Sequence, residues 1–174
     1  LDFEAYTFKE YTSGINPNDP LNMVSILDSY TNILYTYYVR NPNWWKYNIN
    51  EAEIFKPFTE LSHGVKAHVV KGFDTEWQFL DGIMELVKED DPDKFIAWNL
   101  MRYDAPKWKQ RTDLNANKCL YKFASISPLK SVSNYGRINI KGRILFDLMI
   151  AYKKFTDAEL ASYSLAFITH EENL

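Results

Sequence analysis

Two short segments place carboxylates at spacings that can hold a divalent cation. The first is Asp2-Phe3-Glu4, inside an alternating, aromatic-rich run over residues 1–8 that reads as a β-strand. A period of two sets Asp2 and Glu4 on one side of that strand, their Cβ atoms roughly 7 Å apart, so one ion can be ligated by both. The second is Asn99-Leu100-Met101-Arg102-Tyr103-Asp104, where a short apolar strand over 94–98 ends at Asn99 and a turn delivers Asp104 to a helix start marked by Pro106. The partial positive charge of a helix N-terminus favours an ionised Asp104. Two like charges about 4 Å apart repel by roughly 4 kcal/mol at an effective dielectric near 20, so a carboxylate cluster persists most easily around cations. Oxygen-only ligands suit Mg²⁺ or Mn²⁺ rather than zinc, and two such ions can activate a water and stabilise a departing phosphodiester oxygen. Taken singly, neither segment is specific, because Asp-x-Glu also occurs on many solvated strand faces.

The elements that must position these residues follow from hydrophobic period and turn chemistry. A loop over 13–20 is dense in turn formers, and β-like runs over 21–27 and 33–39 flank a five-residue connection, so the chain opens as an antiparallel meander. Residues 44–65 have no clear assignment, and 65–70 reads as a short strand. Asp74 or Thr75 can cap a helix, Thr75 with Gln78 fits a capping box, and Trp77, Leu80, Ile83/Met84 and Val87 recur at helical spacing to about Asp90, before Pro92. Runs over 131–134 and 137–140 form a hairpin around Tyr135-Gly136, 143–146 is a strand running into a helix over 147–155, and 162–169 is a last short helix. The order predicts an α/β fold with a mixed central sheet flanked by helices.

Composition narrows the function. The chain of 174 residues suits one domain, and its net charge of −3 argues against a broad basic face for duplex DNA, leaving local contacts with nucleic acid. Its 12 Tyr, 11 Phe and 5 Trp fill a core more readily than they stack on bases, and Trp44-Trp45 and Trp98 are read as core or interface. Cys119 is the one cysteine, so no internal disulfide forms and a reducing compartment is expected; His63, His68 and His170 are too scattered for zinc. No apolar run approaches the ~20 residues that span a bilayer, so no membrane partner is expected. Asp147 at a strand-to-helix junction is read as a helix cap before a metal neighbour. Lys107, Lys109 and Arg111 either meet phosphates or form a solvated face, and Arg137, Lys141, Arg143, Lys153 and Lys154 form a second basic group.

Read together and in order, the segments resemble the 3′–5′ exonuclease (proofreading) domain of family B DNA polymerases. Asp2-Phe3-Glu4-Ala5 resembles the family's first exonuclease motif. The run from Ile96-Ala97-Trp98-Asn99 through Tyr103-Asp104-Ala105-Pro106, ending in Arg111, resembles the second, although Ala105-Pro106-Lys107-Trp108 departs from its more usual Pro-Tyr-Leu. Gly142-Arg143-Ile144-Leu145-Phe146-Asp147-Leu148 and Ser162-Tyr163-Ser164-Leu165 are similar to later stretches of the family, as are Phe73-Asp74-Thr75-Glu76 and Asp91-Pro92-Asp93. The resemblance implies an RNase H-like exonuclease fold over residues 1–174 and removal of mispaired 3′-terminal nucleotides. It further implies that Asp2 bridges two Mg²⁺ or Mn²⁺ ions, Glu4 binds one of them and the attacking water, and Asp104 holds the second. Asn99 and Tyr103 would seat the terminal nucleotide, and Phe3 would border the base pocket. The partners it implies are the single-stranded 3′ end of a DNA primer and the polymerase region of the same parent chain, within the cell (the cytoplasm and nucleoid of a prokaryote, or another intracellular site).

The family's third motif, a Tyr three residues before an Asp, is expected after Ser-Tyr-Ser-Leu and is not found before Leu174; Tyr152 and Asp157 are too widely spaced to replace it. The polymerase region is absent as well, so the chain is expected to be a partial exonuclease domain with weak or no activity by itself. Two other functions remain open at this point: a non-catalytic nucleic-acid-binding or scaffolding domain of the same fold, and a stand-alone nuclease acting on RNA.

Overall fold

The computed structural model describes residues 1–5, 19–40, 56–58, 64–115, 122–133, 138–156 and 159–172. Strand β1 (Asp2–Ala5) pairs antiparallel with β2 (Leu21–Asp28), and β2 pairs antiparallel with β3 (Ile33–Val39), so the expected meander forms. The turn between β2 and β3 is closed by Asp28, whose carboxylate accepts the Tyr30 amide at 2.9 Å and the Thr31 amide at 3.2 Å, the local bonding that makes Asp a turn residue. Strand β4 (Ala67–Phe73) then joins β3 in parallel, giving the order β1-β2-β3-β4. That parallel partner was not expected, and it lengthens and shifts the short strand read over 65–70.

Helix α1 (Glu76–Asp90) begins as its sequence dictates. Thr75 accepts the Gln78 amide at 3.2 Å, and the Gln78 side chain reaches back to the Asp74 amide at 3.2 Å, one residue earlier than in a standard capping box. Asp91 ends the helix in the left-handed region at φ 42°. The face carrying Phe79, Leu80, Ile83, Met84 and Val87 packs into a core with Phe3, Leu21, Val24 and Tyr37, each fully buried large side chain contributing roughly 1.5–3 kcal/mol. Gly82 lies where the Phe73 ring crosses the helix: a Cβ there would come 2.5 Å from Phe73 Cζ.

Strand β5 (Lys94–Ala97) pairs in parallel with β8 (Ile144–Asp147), and the short β6 (Val132–Ser133) and β7 (Asn139–Ile140) pair antiparallel. The turn expected at Tyr135-Gly136 lies outside the described residues. The β5–β8 pair stands at the free edge of β1, where the Leu1 amine donates to the Ile96 carbonyl at 3.2 Å. Helix α2 (Asp104–Asn115) runs behind this junction, with Trp108 against Phe3 at 5.5 Å, Phe95 at 5.9 Å and Phe123 at 5.1 Å between ring centroids. A 3-10 turn (Phe123–Ile126) and helices α3 (Leu148–Phe155) and α4 (Leu165–Glu171) complete the described elements, and Trp98 ties this end together by donating to the Tyr163 carbonyl at 3.0 Å and leaning on the Tyr152 ring. No helix among the described residues is long and apolar enough to cross a membrane.

Candidate functional site

The backbone of β1 brings the two acidic segments together. Its alternation buries Phe3 against Trp108 and turns Asp2 and Glu4 outward. Phe3 is therefore packed in the core, on the face opposite the carboxylates. Its amide points away from β2 and donates to Asp104 Oδ1 at 3.1 Å, a contact spanning 101 residues of sequence. The carboxylate of Asp104 thus stands where a neighbouring strand's carbonyl would stand, beside the peptide that separates Asp2 from Glu4.

The turn that delivers Asp104 is held at several points. Asn99 ends the β5 segment in the left-handed region at φ 63°, which Asn tolerates better than most residues, and its carbonyl accepts the amides of Arg102 and Tyr103 at 3.2 and 3.0 Å. Leu100 is fully buried beneath the turn, and its carbonyl accepts the Ala105 amide at 3.0 Å. Tyr103 is half-buried and passes the chain into α2, whose first residue is Asp104. Asp147 binds the same turn from β8, as described below. Of the expected site residues, Asp2, Glu4, Asp104, Asn99 and Tyr103 therefore sit on β1 or on the turn joined to it.

Electrostatics follow from burial and crowding. Asp104 is 1% exposed, and desolvation pushes its carboxyl up to about 6; the Phe3 amide pulls it back and the charge of Asp2 raises it further. Glu4 is raised as well, by burial first and then by Asp2. Among the described residues no group of three or more His, Cys, Asp or Glu side chains is arranged, as it stands, to hold a metal ion. The donor set itself is all oxygen, which suits a hard divalent cation, and a cation there would offset the desolvation and repulsion that raise Glu4 and Asp104. Among the described residues two buried amide oxygens also lack a hydrogen bond, Asn99 Oδ1 and Asn22 Oδ1. Asn22 was not anticipated. A register shift between Glu4 and Ala5 pairs Glu4 with Met23 and Ala5 with Leu21, which leaves Asn22 without a cross-strand partner beside Glu4. No sequence signal marks it, because a bulge is a property of the pair of strands.

Several of the basic residues are taken up in contacts within the fold. Lys107 is 1% exposed and burial lowers its ammonium below the usual lysine range. Lys109 pairs with Asp113, and Arg111 grips Glu76 through Nε at 2.8 Å and Nη2 at 2.5 Å. Glu76 also accepts the Leu21 amide at 2.8 Å and Asn115 Nδ2 at 2.9 Å, so one carboxylate ties the start of α1 to β2 and to the end of α2. Arg143 is buried, donating to the Ile126 carbonyl at 2.6 Å, to the Pro92 carbonyl and to Asp91 Oδ1 at 2.7 Å. Lys153 lies over the Tyr163 ring at 4.1 Å, while Lys141 and Lys154 are exposed. Arg137, Trp44-Trp45, Cys119, His63 and Asp157 lie outside the described residues.

Comparison with known proteins identifies a family for the chain. Residues 2–168 match the family model for the exonuclease domain of DNA polymerase family B, a span running from Asp2 to the last helix. No curated protein sequence matches the chain. With nearly its whole length matched, the chain belongs to the exonuclease domain family of the family B DNA polymerases.

Proposed function

We propose that the chain is the 3′–5′ proofreading exonuclease domain of a DNA-directed DNA polymerase, with Asp2, Glu4 and Asp104 as its metal ligands and catalytic carboxylates. The observation that carries this reading is the bond from the Phe3 amide to Asp104 Oδ1, which puts the third carboxylate against the strand that bears the other two. An RNase H-like architecture fits the antiparallel β1-β2-β3 meander with the parallel β5–β8 pair at the β1 edge.

Asp2, Glu4 and Asp104 would hold Mg²⁺ or Mn²⁺, which would supply an activated water and charge neutralisation for the departing 3′ oxygen of the terminal phosphodiester. The chain's own residues prepare that chemistry. Buried Asp104 is held by the Phe3 amide, so it is not free to swing into solvent. Asn99 offers an unpartnered amide oxygen, and with Tyr103 it seats the terminal nucleotide of a single-stranded 3′ end. The polymerase region of a longer parent chain supplies that end.

Binding of Mn²⁺ tests the reading directly. Millimolar Mn²⁺ raises the melting temperature of the wild-type chain, Asp2→Ala and Glu4→Ala abolish the rise, and a 5′-labelled single strand binds with its 3′ end protected. A chain whose melting is indifferent to Mn²⁺ is an inert domain of the same fold, and the nuclease reading then fails.

A further inference from the structure

Asp147 is a buried carboxylate, 6% exposed, that makes two bonds of different kinds. Its Oδ1 accepts the Ile150 amide at 3.1 Å and caps α3, the role its position at a strand-to-helix junction suggests. Its Oδ2 accepts the Met101 amide at 2.9 Å, 46 residues away in sequence. Met101 lies in the middle of the turn between Asn99 and Asp104, and Asp147 pairs in register with Ala97, just before that turn. The left-handed Asn99 and the two amides on its carbonyl close the turn from within; Asp147 fixes it from outside, to β8 and to the N-terminus of α3.

We propose that Asp147 is a positioning residue for the carboxylate site, holding the 99–103 turn so that Asp104 meets the Phe3 amide. The proposal rests on the reading of Asp2, Glu4 and Asp104 as metal ligands. A chain of three bonds carries it: α3 amide to Asp147, Asp147 to the Met101 amide, and Asp104 to the Phe3 amide. A charged acceptor holds a buried amide more strongly than a neutral one, and a carboxylate has oxygens for both amides at once. An amide side chain at 147 has one oxygen for two donors, so it keeps the helix cap and turns an N–H toward Met101.

Two substitutions separate positioning from capping. Asp147→Asn retains a good cap and breaks the Met101 bond. Ile150→Pro removes the capped amide within the first turn, where that N–H has no intrahelical partner, and leaves the Met101 bond intact. Hydrogen exchange of the Met101 and Phe3 amides is followed in the 174-residue chain, alongside its affinity for Mn²⁺. In Asp147→Asn both amides exchange about tenfold faster or more, and Mn²⁺ affinity falls about tenfold, the scale of a lost partner behind a metal ligand. In Ile150→Pro neither quantity moves. The proposal is overturned if Asp147→Asn leaves the Phe3 amide protected, or if Ile150→Pro reproduces its effect. If the wild type binds no Mn²⁺, the metal reading fails by itself, and the exchange of the Phe3 amide still decides whether Asp147 positions Asp104.

Discussion

Replacing Asp104 with Asn should stabilise this protein at neutral pH and leave its stability in acid unchanged. The carboxyl of Asp104 rises from 3.8 to about 6 in the folded chain because it is buried, with the charge of Asp2 adding to the effect. At about 1.4 kcal/mol per pH unit, that rise corresponds to about 3 kcal/mol. The sign follows from proton binding. The folded state holds this proton more tightly than the unfolded state, so its stabilising contribution is complete below about pH 4. It is lost as the pH climbs to about 6, and above that the buried charge weighs against the fold by the full amount. Asparagine keeps an oxygen for the Phe3 amide and removes the titration. Urea unfolding of wild type and Asp104→Asn in EDTA, followed by far-ultraviolet circular dichroism between pH 4 and 7.5, measures the difference. The variant should be more stable by about 2–3 kcal/mol at pH 7.5 and equal within about 0.5 kcal/mol at pH 4. His68, which burial lowers, titrates with the opposite sign in this window, and comparing two variants cancels it. Saturating Mn²⁺ should then reverse the order at pH 7.5, since a thousandfold excess over Kd stabilises the wild type by about 4.1 kcal/mol and gives the variant little. A stability difference that does not change with pH would refute the reasoning.

Three further outcomes test the surrounding structure. Glu76→Ala removes a part-buried carboxylate that accepts from Arg111, the Leu21 amide and Asn115, and should cost about 3 kcal/mol in urea unfolding, whereas Glu76→Gln keeps the Leu21 bond and costs less; a loss under about 1 kcal/mol would contradict the packing of α1 on α2. Gly82→Ala, a change that stabilises most exposed helices by about 1 kcal/mol, should here lower stability by about 1–3 kcal/mol because the new methyl meets Phe73; a raised melting temperature would show that the ring yields freely. Asn99→Gly relieves a left-handed residue and removes a buried oxygen without a partner, so stability should rise by about 1 kcal/mol while affinity for a short single-stranded oligonucleotide falls; unchanged affinity would remove Asn99 from the site.

Local chemistry was readable along the chain wherever a feature depends on residues near one another. The Thr75 cap, the helical period through Val87, the Asp28 turn and the Asp147 cap are all satisfied within a few residues, so their signals lie side by side in the sequence. The alternation of β1 likewise settles which side Asp2 and Glu4 share, and it puts Phe3 on the other. Long-range partners leave no such trace. Nothing beside Arg111 or Arg143 in the sequence marks its partner: Glu76 lies 35 residues before the one and Asp91 lies 52 before the other. The parallel pairing of β4, the bulge that strands Asn22 and the second bond of Asp147 arise only when separate segments are laid against one another. The meeting of Asp104 with the Phe3 amide belongs to the same class: residue types and spacing supplied carboxylates suited to a cation, and only the closing of a loop of 101 residues set Asp104 beside the strand that bears the other two.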